Sequence, residues 1–317
     1  MKSYRLIPDD THWPFVHFRY GAYAFSGALM LLTLILLPIK GLNFGIDFQG
    51  GILIEAEMPG EAADLGAMRA SLNHLGLGEV ALQTIGSPRD VMVRVEQQPG
   101  GERAQNQAIT TIKQTLQSRF GDGVNYRRVE TVGPKVGADL IRSGAEAIGF
   151  SFLAILVYVW FRFEWQFAIG GVIALLHDAF STVGLYALTG LEFNLTSVAA
   201  ILTIIGYSIN DTVVIYDRVR ENLRRHKTTP LAEVIDLSIN ETLARTIVTS
   251  FTVFLTVVIL ALLGGPVLRG FSIAMIWGVV IGTYSSIYVA SPTVLHFYRR
   301  EPLVSEPEIA PGREALP

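Results

Sequence analysis

The chain has 317 residues, half of them hydrophobic, and a mean hydropathy of +0.40, which is too high for a soluble domain of this size. It contains no cysteine, which excludes disulfides, thiolate metal sites and cysteine nucleophiles. The formal net charge is -3, and the basic residues occur in short clusters beside apolar runs, so nucleic acid is not expected as a partner.

Six apolar segments are long enough to cross a membrane, which takes about 20 residues for about 30 Å of hydrocarbon. They are residues 20–39, 141–161, 166–189, 195–216, 246–264 and 271–295. The first is expected to be a retained anchor, because its apolar run is longer than that of a signal peptide and residues 37–40 offer no small-x-small cleavage site. The sequence therefore predicts a multi-pass membrane protein.

The distribution of basic residues predicts the orientation of the spans, because short cytoplasmic loops are rich in lysine and arginine. The richest cluster follows the fourth span and comprises Arg218, Arg220, Arg224, Arg225 and Lys227. We therefore expect a cytoplasmic loop at about 217–245 within the helical region 141–298. Six spans then place both termini in the cytoplasm: an N-terminal segment, 1–19, and a tail, 299–317, whose proline and glutamate content predicts disorder.

The long polar stretch between the first two spans, residues 40–140, is predicted to fold outside the cytoplasm. Extended patterns occur at 51–57, 80–85, 91–95 and 126–132, and helical patterns at 63–75 and 104–120. The order β-α-β-β-α-β is that of the ferredoxin-like arrangement, which buries one face of a sheet under two helices. The predicted fold is a polytopic α-helical membrane protein with this periplasmic α+β domain between helices 1 and 2.

The fourth span contains an aspartate, Asp211, next to Asn210. An ionised aspartate near the centre of a membrane helix costs about 2.5 to 3.5 kcal/mol and usually faces a partner or a water-filled path. The alternative is an early helix end with Asp211 at the interface, but the apolar helix pattern continues through residues 213–215. We therefore favour a functional role for Asp211.

The fifth span offers a counter-charge, Arg245, at the start of a polar stripe on one helical face. The stripe continues with Thr249, Thr252 and Thr256, at spacings of four, three and four residues. Spans four and five run antiparallel, so Arg245 and Asp211 are expected at similar depth, where an opposite charge favours the ionised carboxylate. We predict a switchable ion pair; the alternative is that Arg245 snorkels to the inner headgroups.

His177 and Asp178 in span three are a second candidate, as a proton relay near neutral pH. Alternatively they bond to different neighbours, because adjacent helix positions point about 100° apart. An intramembrane hydrolase using Ser208 or His177 with Asp178 or Asp211 ranks last, since no nucleophile and base share a helical face. The sequence also offers no set of metal ligands, so no metal is expected.

Glycines mark three further segments. Gly278, Gly282 and Ser286 repeat every four residues in span six, which predicts close helix packing. The two other segments, at the ends of the external domain, are interpreted as hinges, and neither has the spacing of a phosphate loop. Their candidate residues are Asp47, Phe48, Gly50 and Gly51 at the entrance, and Gly133, Pro134 and Gly137 at the exit.

Four runs together resemble the SecF members of the SecD/SecF family, in the resistance-nodulation-division superfamily. They are GIDFQGG at 45–51, VGPKVG at 132–137, LHD at 176–178 and GYSINDTVVIYDRVREN at 206–222. The resemblance extends from about residue 15 to residue 300, and the glycine run is shared with SecD. Gln49 occupies a variable place in that run, and the tail after Arg300 has no counterpart in the family pattern.

The resemblance implies a subunit of the bacterial inner membrane that forms a twelve-helix unit with SecD, close to the SecYEG channel and YajC. The external domain would help draw preproteins outward in the late steps of translocation. Asp211 and Arg245, with Asn210 beside them, match the family's proton pathway, which an aspartate of SecD completes. The implied energy source is the transmembrane proton gradient, with no cofactor and no enzymatic activity.

Moving one charge through the membrane potential yields about 2.3 kcal/mol per 100 mV, enough to bias a two-state motion. The expected cycle is protonation of Asp211, repacking of spans four and five, and tilting of the external domain through its glycine hinges. The alternative function is a half-size exporter of small molecules or lipids from the same superfamily. Such exporters usually carry twelve spans and two external domains in one chain, twice what this sequence predicts.

Overall fold

The computed structural model describes residues 11–298, except the side chains of residues 134, 135, 266 and 267. The expected tail 299–317 and residues 1–10 of the expected N-terminal segment lie outside the described residues. Between residues 11 and 298, six helical segments are long and apolar enough to cross a membrane, which confirms the six predicted spans. They are Phe15–Lys40, Val136–Arg162, Trp165–Thr189, Leu195–Arg225, Leu231–Leu263 and Leu268–Phe297.

The external domain has the predicted order of elements. After α1 (Arg19–Lys40) come β1 (Asn43–Phe44), α2 (Ile46–Gln49), β2 (Gly51–Glu57), α3 (Leu65–Asn73), β3 (Val80–Thr84), β4 (Asp90–Val95), α4 (Gly101–Phe120) and β5 (Asn125–Val132). From β2 to β5 the order is β-α-β-β-α-β. The four strands form an antiparallel sheet in the order β3-β4-β2-β5, so the first strand lies in the interior of the sheet.

The two faces of this sheet have different surroundings, because successive side chains of a strand point to opposite faces. One face packs under α3 and α4 and forms a core that includes Ile52, Ile54, Met68, Leu72, Ile112 and Leu116, all with 0% exposure. The other face carries Leu53 and Glu55 towards the outer ends of the membrane helices. A cavity of about 240 Å³ separates it there from Arg269.

The remaining elements form the helical bundle. They are α5 (Pro134–Arg162), α6 (Trp165–Thr189), β6 (Glu192–Phe193), α7 (Leu195–Arg225), α8 (Leu231–Leu263), α9 (Gly265–Ser285), a π turn (Ser286–Ala290) and α10 (Ser291–Phe297). The helix α6 ends at Gly190, whose φ of 68° an L side chain rarely adopts. The next long helix, α7, begins with a capping box between Asn194 and Ser197.

The stretch 217–245, expected as a loop, is helical except at residues 226–230. Its two helical arms continue α7 and α8 and pack on each other through Val219, Ile235 and Ile239. Asn222 Nδ2 donates to Ser238 Oγ at 3.1 Å and to a carboxylate oxygen of α8 at 2.6 Å. Buried apolar and amide contacts thus keep both arms helical where charge density alone indicated a loop.

A second small sheet links the start of the external domain to the connection between α6 and α7. The strands β1 and β6 pair in parallel, with Asn43 opposite Glu192 and Phe44 opposite Phe193. This pairing joins segments about 150 residues apart in the chain, and the sequence patterns did not predict it. It brings the glycine run at 45–51 to the outer end of α7.

Candidate functional site

Asp211 lies on the inner face of α7 and is 2% exposed. Its Oδ2 accepts a hydrogen bond from Ser250 Oγ of α8 at a long distance, 3.4 Å. The same serine hydroxyl is 2.8 Å from Tyr207 Oη of α7 and 2.8 Å from Thr283 Oγ1 of α9. The Asp211 carboxylate therefore adjoins a small hydroxyl cluster where three helices meet.

The ion pair between Asp211 and Arg245 is not formed in this structure. The Arg245 side chain is exposed on the outer surface of α8. Asn210 is likewise exposed on α7. Across the described residues, neither side chain has a hydrogen bond or an ion pair within 4 Å. The switch between paired and separated states stays a prediction.

The threonine stripe continues this exposed polar surface. Thr252 and Thr256 are exposed and Thr249 is half-buried. Each hydroxyl donates to a carbonyl of its own helix, at 2.7 to 3.0 Å, so the threonines themselves do not require a partner. Arg245 and Asn210 lack such local partners. If lipid covered this surface, their hydrogen-bond donors would have no acceptor.

Asp178 forms the centre of a second, closed network. It is 0% exposed, and three donors surround its carboxylate. Ser208 Oγ of α7 lies 2.5 Å away, Ser285 Oγ of α9 lies 2.6 Å away, and His177 Nδ1 lies 2.9 Å away. The histidine and the aspartate therefore bond to each other, as the relay hypothesis requires, and the aspartate also bonds to two further helices.

This network does not have the geometry of a hydrolase. In a catalytic triad the imidazole stands between the serine and the carboxylate, so that it can take the serine proton. Here Ser208 and His177 both contact Asp178, and the serine hydroxyl donates to the carboxylate directly. The His177 Nε2 atom is buried without a hydrogen-bond partner. The described part of the chain also contains no group of three metal-ligating side chains.

The small residues of span six lie between α9 and α7. A side chain at Gly278 would overlap Ile204, and one at Gly282 would lie 3.1 Å from Ser208 Cβ. Ser286 Oγ is 2.8 Å from Thr212 Oγ1 and donates to the Ser208 carbonyl at 3.2 Å. The stripe thus allows the close approach that brings Ser285 to Asp178.

The glycine segments differ in their backbone geometry. Gly50 and Gly51 have φ values of 75° and 115°, which favour glycine. Gly133 is extended, with φ -78°, and precedes Pro134 at the start of α5. A side chain at Gly137 would lie 3.0 Å from the Phe48 carbonyl oxygen, so this glycine allows α5 to pack on α2.

Asp47 and Phe48 also make specific contacts. Asp47 Oδ2 accepts a hydrogen bond from the Leu195 backbone amide at 2.9 Å, at the first turn of α7. The Phe48 ring centroid lies 5.9 Å from that of Phe193 and 6.0 Å from that of Phe44. The entrance segment is therefore anchored to the bundle through Asp47 and Phe48, and its role as a hinge stays a prediction.

Sequence reasoning missed Ser250, Ser285 and Arg94 as site residues. A signal existed for Ser285, because Ser285 and Ser286 interrupt an otherwise apolar run. Ser250 follows Thr249 in the sequence but lies outside the spacing of the threonine stripe. Arg94 belongs to an ordinary alternating strand, and its contacts with the bundle depend on the β1–β6 pairing.

Two family models match the chain. The model for Protein export membrane protein SecD/SecF, C-terminal, matches residues 111–300. The model for the SecD/SecF GG Motif matches residues 35–58, which contain α2 and the Gly50–Gly51 pair. The two matches cover the entrance to the external domain and all spans after the first.

Relatives match along nearly the whole chain. The chain is 48% identical over 297 residues to Protein translocase subunit SecF of Rickettsia rickettsii, covering 94% of this chain and 96% of the relative. The corresponding SecF of Rickettsia bellii is 46% identical, with coverages of 94% and 97%. Both relatives are similar to this chain over the external domain and the bundle together.

Solved structures agree with this relationship. A crystal structure of SecDF from Thermus thermophilus, described as a translocon-associated membrane protein, superposes with a TM-score of 0.83 at 34% identity and covers 92% of this chain. SecDF in a super-membrane-facing form superposes with a TM-score of 0.66, also at 34% identity. This chain spans only 39% of either SecDF chain. By its family models, its relatives and its fold, the chain belongs to the SecF branch of the SecD/SecF family of protein-export membrane proteins.

Proposed function

We propose that the chain works as the SecF subunit of the protein translocase, using the proton gradient with SecD to promote late steps of preprotein translocation. The observation that carries this proposal is the setting of Asp211, a buried carboxylate with one long hydrogen bond, beside an exposed polar surface. A group that exchanges protons needs incomplete hydrogen bonding, which Asp211 has, and the exposed Asn210 beside it belongs to the polar surface of α7 and α8. The names of the relatives support the same role.

The exposed surface of α7 and α8 supports SecD as the partner. An arginine on a lipid-facing helix surface is costly unless its charge reaches the headgroups or a partner, so such residues often pair with another protein group. Arg245 and Asn210 lie on this surface without a described partner, and a SecD helix carrying an aspartate would supply one. A chain that spans 39% of SecDF leaves room for that second half. We place SecYEG, YajC and the preprotein around the resulting twelve-helix unit.

The proton step acts at the contact of α7, α8 and α9. A neutral Asp211 no longer attracts Arg245 and gains a hydroxyl proton that it can donate. Ser250, which now donates to Asp211, also contacts Tyr207 and Thr283. Proton uptake therefore reverses hydrogen-bond directions in this cluster and shifts the balance between two packings of the three helices. A transmembrane charge movement supplies about 2.3 kcal/mol per 100 mV for this change.

The proposed location is the bacterial inner membrane, with the termini and the Arg218 to Arg225 cluster in the cytoplasm. Exposed aromatic side chains at the α5–α6 turn, Trp160, Phe161 and Trp165, fit a position at the same membrane interface. The external domain then lies in the periplasm, where an emerging preprotein would meet it. Surrounding lipid covers the apolar outer faces of α1 and α5.

Affinity purification of the tagged, full-length chain from its native membrane tests this assignment. We expect SecD and SecY to be recovered with it. Recovery of further copies of the chain alone would contradict the assignment and favour the exporter of small molecules or lipids. Arg245→Leu should lower the recovery of SecD, because it removes the charge from the proposed contact. Arg103→Leu, on the exposed side of α4, is the matched control and should leave recovery unchanged.

A further inference from the structure

Two side chains cap the outer end of α7. One, Asn194, directly precedes the helix, and the other, Asp47, comes from α2 at the entrance to the external domain. Asn194 Oδ1 accepts hydrogen bonds from the amides of Thr196 and Ser197 at 3.1 and 3.3 Å. Asp47 Oδ2 accepts the remaining amide of this turn, that of Leu195, at 2.9 Å. Free amides at a helix start favour a carboxylate. Asp47, 148 residues away in sequence, thus completes the cap.

Backbone contacts hold Asp47 in this place. The Gly45 amide donates to the Phe193 carbonyl at 2.9 Å, next to the pairing of β1 with β6. A side chain at Gly45 would meet the Glu192 carboxylate, which would have to shift away from its present place. The rings of Phe44, Phe48 and Phe193 fill the space around the strands. The entrance segment and the α6–α7 connection therefore form one packed unit.

Arg94 of β4 ties the sheet of the external domain to the same unit. Its guanidinium donates to Asn43 Oδ1 at 3.2 Å and to the Phe44 carbonyl at 3.0 Å. It also pairs with Glu192 Oε2 at 3.2 Å, and both side chains are less than one-fifth exposed. Gly50 and Gly51, both with positive φ, lie where the chain passes from α2 into β2. Arg94 bridges this point, so the sheet cannot tilt there without breaking its contacts.

The helix that Asp47 caps is the helix that carries Asp211. It runs without interruption from Leu195 to Arg225, and Asp211 lies 16 residues, or about 24 Å, from the capped end at the usual helical rise. We propose that Asp47 is a positioning residue which, with the Arg94–Glu192 pair, joins the external domain to α7, so that a change at Asp211 moves that domain. The proposal rests on the proposed function and names its point of mechanical coupling.

Distance measurements between two labels test this coupling. The chain lacks cysteine, so Asn106→Cys on α4 and Leu188→Cys at the outer end of α6 give single attachment sites for spin labels. The full-length chain is reconstituted with SecD and SecYEG in vesicles. Asp211→Asn serves as a permanently neutral form of Asp211. In the otherwise unchanged chain, we expect Asp211→Asn to shift the distance distribution between the labels.

The decisive comparison adds Asp47→Ala, which removes the acceptor. In the Asp47→Ala background, we expect Asp211→Asn no longer to shift the distance between the labels. Asp47→Ala alone should also abolish the stimulation of export by the proton gradient, while SecD is still bound. Asp47→Asn keeps an acceptor oxygen and should restore part of the shift. Asp64→Ala is the control, because Asp64 Oδ1 accepts an amide of α3 at the same 2.9 Å but lies outside the joint. It should leave the shift intact.

Two results would overturn the proposal. One is that Asp211→Asn shifts the label distance equally with Asp47→Ala and with Asp47, which would show that other contacts couple the domain to Asp211. The other is the absence of any shift with Asp47 present. Failure of the proposed function would give a different result: Asp211→Asn would leave proton-driven export unchanged in every background.

Discussion

Two aspartates lie buried in neighbouring helices of the bundle, and their surroundings differ. Asp178 of α6 is 0% exposed and has three hydrogen-bond donors between 2.5 and 2.9 Å. Asp211 of α7 is 2% exposed and has one donor at 3.4 Å. Both positions look alike in the sequence, as acidic residues in apolar spans. The structure distinguishes them by hydrogen bonding, which is complete around Asp178 and sparse around Asp211.

The difference follows from how the polar groups are satisfied. A buried carboxylate with a full set of donors stabilises its surroundings, and removing it leaves each donor unsatisfied. A buried carboxylate with one long hydrogen bond contributes little to stability. It can therefore change its protonation state or its partner at low cost. Asp178 thus joins α6, α7 and α9, and under the proposed function Asp211 takes part in the proton step.

Removing Asp178 should have the largest effect on stability. Asp178→Ala leaves His177 and Ser208 without their acceptor and leaves Ser285 with only the Gly282 carbonyl at 3.1 Å. We expect a loss of about 3 to 5 kcal/mol in the free energy of unfolding. Asp211→Ala should cost less than about 1 kcal/mol, because it breaks one long hydrogen bond. Reversible unfolding of the full-length chain in mixed micelles measures both. Equal losses at the two sites would remove the distinction between them.

A bulky residue at Gly278 should cause the next largest loss in the free energy of unfolding. The side chain of Gly278→Val would overlap Ile204 and force α9 away from α7, at a cost of about 1 to 3 kcal/mol. The same displacement would draw Ser285 away from Asp178. The double variant with Ile204→Ala should be more stable than the sum of the two single changes predicts, as the same unfolding measurement can show. Strict additivity would indicate that the two residues do not touch.

Glu55 of β2 is a third buried carboxylate, 6% exposed, and its substitution should have the smallest effect on stability. Burial raises the pKa of Glu55 above its ordinary value, against the opposing effect of Arg128, which lies 3.4 Å away. A raised folded-state pKa favours the protonated form, so the stability that this group contributes is present at acidic pH and is lost as the pH rises through the folded pKa. Glu55→Gln should remove this dependence.

The test is hydrogen exchange of the β2 amides at acidic and neutral pH, corrected for intrinsic exchange rates. Relative to the unchanged chain, Glu55→Gln should protect these amides better at neutral pH than at acidic pH. Glu61→Gln, at an exposed position, is the matched control. A pH response that is identical in the unchanged chain and in Glu55→Gln would show that Glu55 does not titrate between the two conditions.

Much of the fold could be predicted because its signals are local. The lengths of the apolar segments gave the six spans, and periodicity gave the β-α-β-β-α-β order of the external domain. The extent of α7 and α8 was missed, since their helical arms depend on contacts between Asn222 and Ser238 across the turn. Charge density in 217–245 indicated only that the segment faces water, which helical arms can also do.

The candidate site could be predicted only in part, for the same reason. Asp211 and Asp178 stand out as charges in apolar spans. Their different roles depend on hydroxyl groups from other helices, such as Ser250 and Ser285, whose positions need the packing of α9 against α7. The capping role of Asp47 depends on a contact 148 residues distant. A run of glycines indicates a special backbone, and it does not show which segment lies against it.

Proton-driven export by the complete complex shows whether Asp211 takes up the driving proton. Vesicles containing SecD, SecYEG and either the unchanged chain, Asp211→Asn or Asp217→Asn are compared for preprotein export with and without an imposed proton gradient. Asp217 is the matched control, because it lies on the same helix but is only half-buried and pairs with Arg162 at 2.6 Å. We predict that Asp211→Asn abolishes the stimulation by the gradient while SecD remains bound, and that Asp217→Asn preserves it. Full stimulation with Asp211→Asn would contradict the assignment of the proton step to Asp211.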